Sequence, residues 1–302
     1  MRVLVTGAGG YVGRAVVSAL STAGHEVAAL VHHPDGEIPG AAAEYVADIG
    51  AARELDRALR GAEAVCHLAG LTRARDSWTE AARYFEVNAG GTATLLRAME
   101  AAGVGRLVFA STGAIYGSPD RQPMGEELPD DPPHPYAASK AAAEAVIGWQ
   151  ARTVSLAATV LRLFNAAGGI DPDSTRIVPR VLAAAGGGTP LEVNGDGSAV
   201  RDYLHIADAA DAFLAAVEHR QRGGTVERYN IGSGHGASVL DVVAAAEQAT
   251  GKHVQVVHKP AAAESQRLVC DPARALAELG WKPRRSSLEV IVADAWTATA
   301  PA

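Results

Sequence analysis

The stretch "VTGAGGYVG", Val5–Gly13, constrains this chain more than any other part of its sequence. It follows a short apolar run and opens an amphipathic segment, with glycines three residues apart at Gly7, Gly10 and Gly13. Glycine permits a tight turn, lets the backbone approach a pyrophosphate, and allows a helix to pack closely on a strand. A helix that begins there also offers free N–H groups to phosphate charge. We therefore predict a dinucleotide-binding turn, and the simpler interpretation is a purely structural turn.

Short apolar runs alternate with alanine-rich amphipathic segments through the first half of the chain. The predicted strands are Arg2–Thr6, Glu26–Val31, Ala43–Asp48, Ala62–Ala69, Gly105–Ser111 and Leu156–Phe164, and the predicted helices are 11–23, 51–60, 78–102 and 136–150. Continuous apolar strands separated by helices indicate a parallel sheet covered on both faces. The predicted fold class is therefore α/β, with a doubly wound parallel sheet.

After Phe164 the pattern changes, because glycine, aspartate and proline become frequent and the elements shorten. We predict a second, smaller α/β lobe in this part of the chain. The predicted organisation is a dinucleotide-binding domain over 1–165 and a substrate lobe over 166–302, with some segments of the lobe returning to the first domain. A chain of 302 residues is long enough for two such units.

Composition excludes several kinds of partner. The formal net charge is −7 and no basic block stands out, so we expect neither nucleic acid nor an anionic membrane. No apolar run approaches the ~20 residues that span a bilayer, and "MRVLVTG" leads directly into a strand pattern without a secretory signal. The two cysteines, Cys66 and Cys270, predict no disulfide framework. We expect a soluble cytoplasmic protein.

The stretch "HPYAASKAAAEAV", His134–Val146, places a tyrosine four residues before a lysine at a predicted helix start. Pro135 suits the first helical position, and the alanines favour a helix. Residues four apart lie on one helix face, so Tyr136 and Lys140 point the same way. A phenol beside an ammonium predicts a tyrosine whose pKa is lowered. A simple surface pair is the alternative interpretation.

Seven motifs occur in a characteristic order along the chain: TGxxGxxG, "HLAG", "VNAGGT", "STGAIYG", "YAASK", "LRLFNAAGG" and "RDYLHIADAADA". Together they resemble the extended short-chain dehydrogenase/reductase family over essentially the whole chain. Within that family the sequence looks most like nucleotide-sugar epimerases of the UDP-glucose 4-epimerase type. The resemblance implies a Rossmann-type fold, bound NAD and a nucleotide-sugar substrate.

The resemblance also implies a role for individual residues. The catalytic residues would be Thr112, Tyr136 and Lys140. The cofactor would contact Gly7, Gly10, Tyr11, Val12, Gly13, His32, Asp48, Ile49, Leu68, Ala69, Gly70, Asn88, Ser111, Tyr136 and Lys140, with Asp48 at the adenine. The substrate would contact Thr112, Asn165, Arg201 and Arg267, with Arg201 on its diphosphate. No metal ligand is implied.

The two residues that follow Thr112 limit the kinds of reaction that the site could catalyse. Relatives that dehydrate or decarboxylate a sugar carry an acidic residue there, whereas this chain has Gly113 and Ala114, which cannot move a proton. The remaining chemistry needs one base and a hydride carrier, as in 4-epimerisation: NAD takes hydride from carbon 4 while Tyr136 takes the hydroxyl proton. The 4-keto sugar then turns over in its pocket, and hydride returns to the other face.

Departures from the family pattern keep alternatives open. The second strand ends in Val31 and His32 instead of the acid that grips the adenosine ribose, so we expect NAD but leave NADP open. Asn194 stands where relatives often have an aromatic against the base. An arginine-Pro-Gly-Asp motif that many relatives use on the diphosphate is replaced by "HKPAAAESQRLVCD", with Lys259 and Arg267 as possible substitutes.

Three functions are therefore compared. A nucleotide-sugar 4-epimerase, acting on a UDP-hexose, is our first expectation. The alternative is an NADPH-dependent reductase of a 4-keto nucleotide sugar, which the Val31-His32-His33 strand end favours. A non-enzymatic NAD(P)-sensing regulator fits less well, because a sensor needs no base. We also expect a homodimer, in which the predicted helices 78–102 and 136–150 pair with their copies.

Overall fold

The computed structural model describes residues 1–34, 36–261 and 265–299. Its central sheet has seven strands: β1 (Arg2–Thr6), β2 (Glu26–Val31), β3 (Ala43–Val46), β4 (Ala64–His67), β5 (Arg106–Thr112), β6 (Ala157–Leu163) and β10 (Thr225–Ile231). The strand order is β10-β6-β5-β4-β1-β2-β3, and every neighbouring pair is parallel. The predicted doubly wound α/β fold is confirmed.

Helices cover both faces of this sheet. Their bounds are α1 (Tyr11–Thr22), α2 (Ala52–Leu59), α3 (Ala81–Phe85), α4 (Gly91–Ala102), α5 (Pro135–Val154) and α7 (Ile206–Glu218). One face packs on α1 and α7 through side chains such as Val16, Leu20 and Phe213. The other packs on α2, α4 and α5 through Leu55, Leu95 and related residues. Because both faces are buried, the strands are apolar throughout.

The second half of the chain contributes to both parts of the molecule. Helix α7 and strand β10 belong to the central sheet layer. The smaller lobe contains β7 (Asn165–Ala167), β8 (Leu191–Asn194), β9 (Val200–His205), β11 (Gly236–Ser238), β12 (Val256–Lys259), β13 (Arg267–Leu268), α6 (Ile177–Ala185), α8 (Val239–Thr250) and α9 (Leu288–Thr299). Ala275 and Trp281 also pack in the core on the α1 and α7 side of the sheet, so segments after residue 165 return to the first domain. The domain boundary at residue 165 stays a prediction, and residues 300–302 lie outside the described chain.

The predicted long helical stretch over 78–102 is confirmed from Ala81 to Ala102, but it is not a regular α-helix throughout. A 3-10 turn covers Asp76–Trp78, and a wide π-helical turn at Glu86–Gly90 separates α3 from α4. Two adjacent glycines weaken the α-helix here, and the Thr92 hydroxyl donates to the Asn88 carbonyl oxygen at 2.6 Å. The wide turn directs the Asn88 side chain away from the helix axis and towards the end of β4. Within the described residues, no helix combines the length and apolarity that a bilayer crossing requires.

Candidate active site

A cleft of about 1520 Å³ lies at the carboxyl ends of the sheet strands, between the sheet and the smaller lobe. The sheet side is lined by the residues that follow β1, β2 and β4 and by the end of β5. The lobe side is lined by residues such as Asn165, Arg201 and Lys259. This is where the connections from neighbouring strands turn to opposite faces, the place where ligands bind in open α/β sheets.

The glycine loop is built for close backbone approach. Gly7 has a φ of +68°, and a Cβ there would stand 2.7 Å from the backbone nitrogen of Ala69. A Cβ at Gly13 would stand 2.1 Å from the carbonyl oxygen of Gly7. Because Gly10 caps α1 without a side chain, the first N–H groups of the helix remain available to an anion. These residues fit the pyrophosphate of a dinucleotide.

Tyr11, at the first position of α1, joins the glycine loop to the smaller lobe. Its hydroxyl donates to the carbonyl oxygen of Gly168, and the Arg176 guanidinium lies 5.6 Å from the centre of its ring. Burial raises the pKa of the phenol, and nearby Asp171 acts in the same direction. Tyr11 and Val12 both line the cleft, where the sequence predicted cofactor contacts. The Tyr11 hydroxyl, however, is already engaged by the protein.

Thr112 and Tyr136 meet on the wall of the cleft. Thr112 ends β5, and its hydroxyl oxygen accepts from the backbone N–H of Ala114 at 3.1 Å. That leaves its proton free to point at Tyr136, whose phenol lies within hydrogen-bonding reach. Burial raises the pKa of the Tyr136 phenol, whereas the Thr112 hydrogen bond and the Arg176 charge lower it. The sequence predicted a lowered pKa for Tyr136 with Lys140 as its cause, and this prediction is wrong: the pKa is raised, and the charge that lowers it is that of Arg176.

Lys140 is 3% exposed and reaches the end of the neighbouring strand. Its Nζ donates to the carbonyl oxygen of Ala110 at 2.9 Å and lies 4.7 Å from the centre of the Phe109 ring. Burial lowers the pKa of the ammonium to about 8, although Glu144 opposes that shift. A cation so placed lines the cleft beside Tyr136, where it can meet the hydroxyls of a bound ribose.

A buried ion cluster lies behind these residues and was missed from the sequence. Glu144, one turn after Lys140, accepts from Ser111 Oγ at 2.5 Å, from Arg162 Nε at 3.0 Å and from Arg228 Nε at 2.9 Å. The available signal was Arg162, a charge inside the apolar run "TVLRLF". Ser111 lines the cleft, but its hydroxyl is engaged by Glu144 and not directed at a cofactor.

Asn88 supports the site from behind its wall. It is 2% exposed and, within the described chain, is not among the residues that line the cleft. Its Oδ1 accepts from the N–H of Leu71 at 2.8 Å, and its Nδ2 donates to the Leu71 oxygen at 3.0 Å and to Ser139 Oγ at 2.8 Å. Asn88 therefore ties the loop after β4 to α5 with its amide engaged by the protein, and its contact with the cofactor stays a prediction.

The remaining predicted cofactor residues surround the far end of the cleft. His32 Nε2 lies 3.3 Å from Asp48 Oδ2, and the two side chains are 61% and 60% exposed. Asp48 Oδ1 also accepts from the N–H of Gly50 at 2.7 Å, which fixes the turn after β3. Ile49, Leu68, Ala69 and Gly70 line the same wall. The structure thus brings the predicted adenine and ribose contacts together.

On the substrate side the structure separates two predicted arginines. Arg201 lines the cleft and donates to the carbonyl oxygens of Val200 and Ser265 at 2.9 and 2.8 Å. Arg267 is exposed on β13 and, within the described residues, lies outside the cleft wall, so the structure does not bring it together with Arg201 and its substrate contact stays a prediction. The register explains this, because Arg267 pairs with Val200 and therefore points to the face opposite Arg201.

Other cleft residues hold the substrate side in shape. Asn165 Nδ2 donates to the Asp202 carbonyl oxygen at 2.9 Å, and Lys259 Nζ lies 2.6 Å from Glu192. Arg176, which the sequence analysis missed, lies 3.3 Å from Asp171 at the start of α6. Part of the replaced motif, 262–264, lies outside the described residues. In the described chain no group of three histidine, cysteine or acidic residues is arranged to hold a metal ion.

The position after Thr112 is tightly packed. A Cβ at Gly113 would stand 2.7 Å from the ring of Phe164, so a larger residue there requires the ring to move. The packing at Gly113 is thus in keeping with the absence of an acidic residue at this position.

Comparison with known proteins agrees with this geometry. Residues 3–232 match the model of the NAD dependent epimerase/dehydratase family. The UDP-glucose 4-epimerase of Streptomyces lividans is 38% identical over 313 residues, which cover 97% of this chain and 94% of the relative.

Solved structures are similar over nearly their whole length. A UDP-glucose 4-epimerase from Stenotrophomonas maltophila, with bound NAD and formylated UDP-arabinopyranose, has a TM-score of 0.92 and 30% identity, covering 99% of this chain and 97% of that one. The enzyme from Bifidobacterium longum, in complex with NAD+ and UDP, has a TM-score of 0.90 and 28% identity, covering 99% and 98%. The sequence-based assignment is confirmed: the chain belongs to the NAD-dependent epimerase/dehydratase family.

Proposed function

We propose that this protein is an NAD-dependent nucleotide-sugar 4-epimerase that acts on a UDP-hexose. The observation that carries the proposal is the pairing of Thr112 with Tyr136 on the cleft wall, with Lys140 one helical turn away. The site holds one base, and Gly113 and Ala114 supply no second acid. The reductase alternative is not favoured, since the relatives compared above are named as 4-epimerases.

The cofactor would be held by groups that the fold places in advance. The glycine loop and the start of α1 would receive the pyrophosphate, Asp48 the adenine, and Lys140 the nicotinamide ribose. When bound there, NAD would supply the hydride chemistry at carbon 4 of the sugar, with removal from one face and return to the opposite face. The protein's own contribution is to bind, to orient the sugar and to move one proton.

Tyr136 would move that proton. Its phenolate takes the proton of the sugar's 4-hydroxyl, and the Thr112 hydroxyl donates to the same sugar oxygen or to Tyr136 as the charge shifts. When the 4-keto sugar is reduced, Tyr136 returns the proton to the new alkoxide. Because burial raises the pKa of Tyr136 in the protein alone, the positive charges of Arg176 and of the oxidised nicotinamide ring would have to stabilise the phenolate.

The diphosphate would be bound on the lobe side of the cleft. Arg201 offers a forked guanidinium that suits phosphate oxygens, and Lys259 and Asn165 line the same side. Asn194 also lines the cleft and can form hydrogen bonds with a base edge. The Bifidobacterium longum enzyme is described in complex with UDP, which supports a uridine nucleotide for this chain.

A homodimer is the assembly that the surface favours. Trp78 and Trp149 are 66% and 67% exposed, and Phe85 is 41% exposed, on the neighbouring segments that lead into α3 and along α5. Large exposed aromatics grouped on adjacent helices are typical of contact surfaces. Light scattering of wild type and of Trp149→Glu tests this proposal, with a monomeric variant expected.

A panel of nucleotide sugars tests the activity. The purified protein is incubated with UDP-glucose, UDP-galactose, UDP-glucuronate or dTDP-glucose without added cofactor, and inversion at carbon 4 is followed by proton NMR. We expect inversion of a UDP-sugar, with Tyr136→Phe as the inactive control. Stoichiometric consumption of NADPH with a 4-keto sugar, and no inversion of any sugar, would establish the reductase.

A further inference from the structure

The helix that carries Tyr136 begins on an unusual capping residue. His134 adopts an extended backbone, with φ −154° and ψ 162°, and its Nδ1 accepts from the N–H of Ala137 at 3.1 Å. Serine, threonine, asparagine and aspartate are the residues that ordinarily satisfy this N–H. Because Nδ1 must present a lone pair, the imidazole is neutral and carries its proton on Nε2.

The same imidazole contacts the ring of Tyr136. The two ring centres are 5.8 Å apart with an interplanar angle of 15°, an offset stack. Tyr84 meets Tyr136 edge-on, with ring centres 6.4 Å apart and an angle of 76°. The phenol ring is therefore in contact with both His134 and Tyr84. His134 acts on Tyr136 in two ways: it caps the helical turn that carries Tyr136, and its ring stacks on the phenol ring.

Protonation of His134 would remove its hydrogen bond to the first turn of α5, whereas the contact between its ring and the Tyr136 ring would remain attractive. An imidazolium has N–H at both nitrogens, so it cannot accept from Ala137, and its charge would face the positive end of α5. Burial already lowers the pKa of His134. The titratable groups on this side of α5 are Tyr136, Tyr84 of α3 and, around Tyr84, Arg73, Asp76 and Glu80. The carboxylates of Asp76 and Glu80 raise the pKa of Tyr84. Negative charges of this kind favour protonated groups, so they do not oppose protonation of the imidazole.

We propose that His134 is a positioning residue that holds Tyr136 through the first turn of α5 and releases it when the imidazole takes up a proton. The inference rests on the proposed function, in which Tyr136 is the base. It makes the acid limb of activity depend on two groups, Tyr136 itself and the imidazole two residues before it.

His134→Asn is the informative variant, because asparagine caps the helix at every pH and carries no proton in this range. His134→Ala, which has no cap, is the comparison. We measure kcat and KM for UDP-galactose from pH 5 to 9. The ratio of kcat for His134→Asn to kcat for wild type is expected to rise about fivefold from pH 7.5 towards pH 5, equivalent to the ~1 kcal/mol of a lost cap, with KM little changed. His134→Ala is expected to be about fivefold slower than wild type at pH 7.5 and to approach the wild-type rate towards pH 5, where neither protein has the cap.

Two readouts do not depend on activity. Ring-carbon NMR shifts of labelled histidine should show the Nε2–H form of His134 at pH 7.5 and its protonation only in acid. Because the pKa of the folded state is below that of the unfolded chain, His134 stabilises the fold at neutral pH and loses this contribution as pH falls below about 6.5. The melting temperature of wild type should therefore fall more steeply in acid than that of His134→Asn.

A flat activity ratio across the pH range, in an active wild type, would overturn the inference, as would an Nδ1–H form at pH 7.5. Absence of inversion in every variant, with the expected NMR titration intact, would instead count against the proposed epimerase function and leave the capping role of His134 standing.

Discussion

Lys140 Nζ donates to the backbone oxygen of Ala110 at 2.9 Å, at the end of β5 and two residues before Thr112. This bond holds a buried ammonium at the strand end that also carries the hydroxyl of the site. Lys140 therefore forms part of the cofactor wall as well as lying beside Tyr136. The four-residue spacing by itself suggests only the second of these roles.

Removing the phenol oxygen tests the base. Tyr136→Phe is expected to lower kcat by about 10²–10⁴, the range for loss of general base catalysis. The ring contacts to His134 and Tyr84 survive in this variant, so NAD content measured on the purified protein should be unchanged. Turnover near that of wild type would remove Tyr136 from the mechanism.

The buried ammonium predicts an alkaline limb. Burial lowers the pKa of Lys140 to about 8, and the group is charged below that value. Activity that needs the ammonium should therefore be full at lower pH and fall as pH rises through about 8. Lys140→Arg keeps its charge throughout this range and should shift the limb upward, although the larger guanidinium lowers the maximal rate. Rate profiles from pH 6 to 10 for both proteins decide the matter, and an identical limb in Lys140→Arg assigns it to another group.

Gly113 and Phe164 predict a steric effect with a specific remedy. Gly113→Ala places a methyl group 2.7 Å from the Phe164 ring, and overpacking of this kind costs about 1–3 kcal/mol. We expect a lower melting temperature for Gly113→Ala by calorimetry. The double variant with Phe164→Leu should recover part of the loss. If the double variant is the sum of the two single variants, the two positions do not interact.

The two arginines of β9 and β13 should differ sharply. Arg201→Gln removes a cation from the cleft wall, and loss of a charge-assisted bond to phosphate should raise KM about 10- to 100-fold. Arg267→Gln, on the opposite face, should leave KM within about twofold of wild type. Calorimetric titration with UDP alone checks the same contrast without turnover. A weakened UDP affinity in Arg267→Gln would show that Arg267 contributes to substrate binding.

Local sequence patterns were enough to predict the order of the strands and helices and the family. Apolar runs flanked by helical segments have the period and length of buried parallel strands, so β1 to β6 could be placed within a few residues. The glycines at Gly7 and Gly13 and the Tyr136–Lys140 spacing are equally local, because each depends on one turn of chain. Features of this kind survive in the sequence because neighbours along the chain set them.

The partners of individual side chains were decided only by the tertiary structure. Arg201 and Arg267 are both arginines on short strands, and only the strand register places them on opposite faces. The partners of the Asn88 amide, Leu71 and Ser139, were likewise set by the fold around the π-helical turn. The sequence by itself determined the fold and the family, and it predicted the base, Tyr136. Which buried groups bond to each other depends on contacts between residues far apart in the chain, whose distances and directions no local spacing contains.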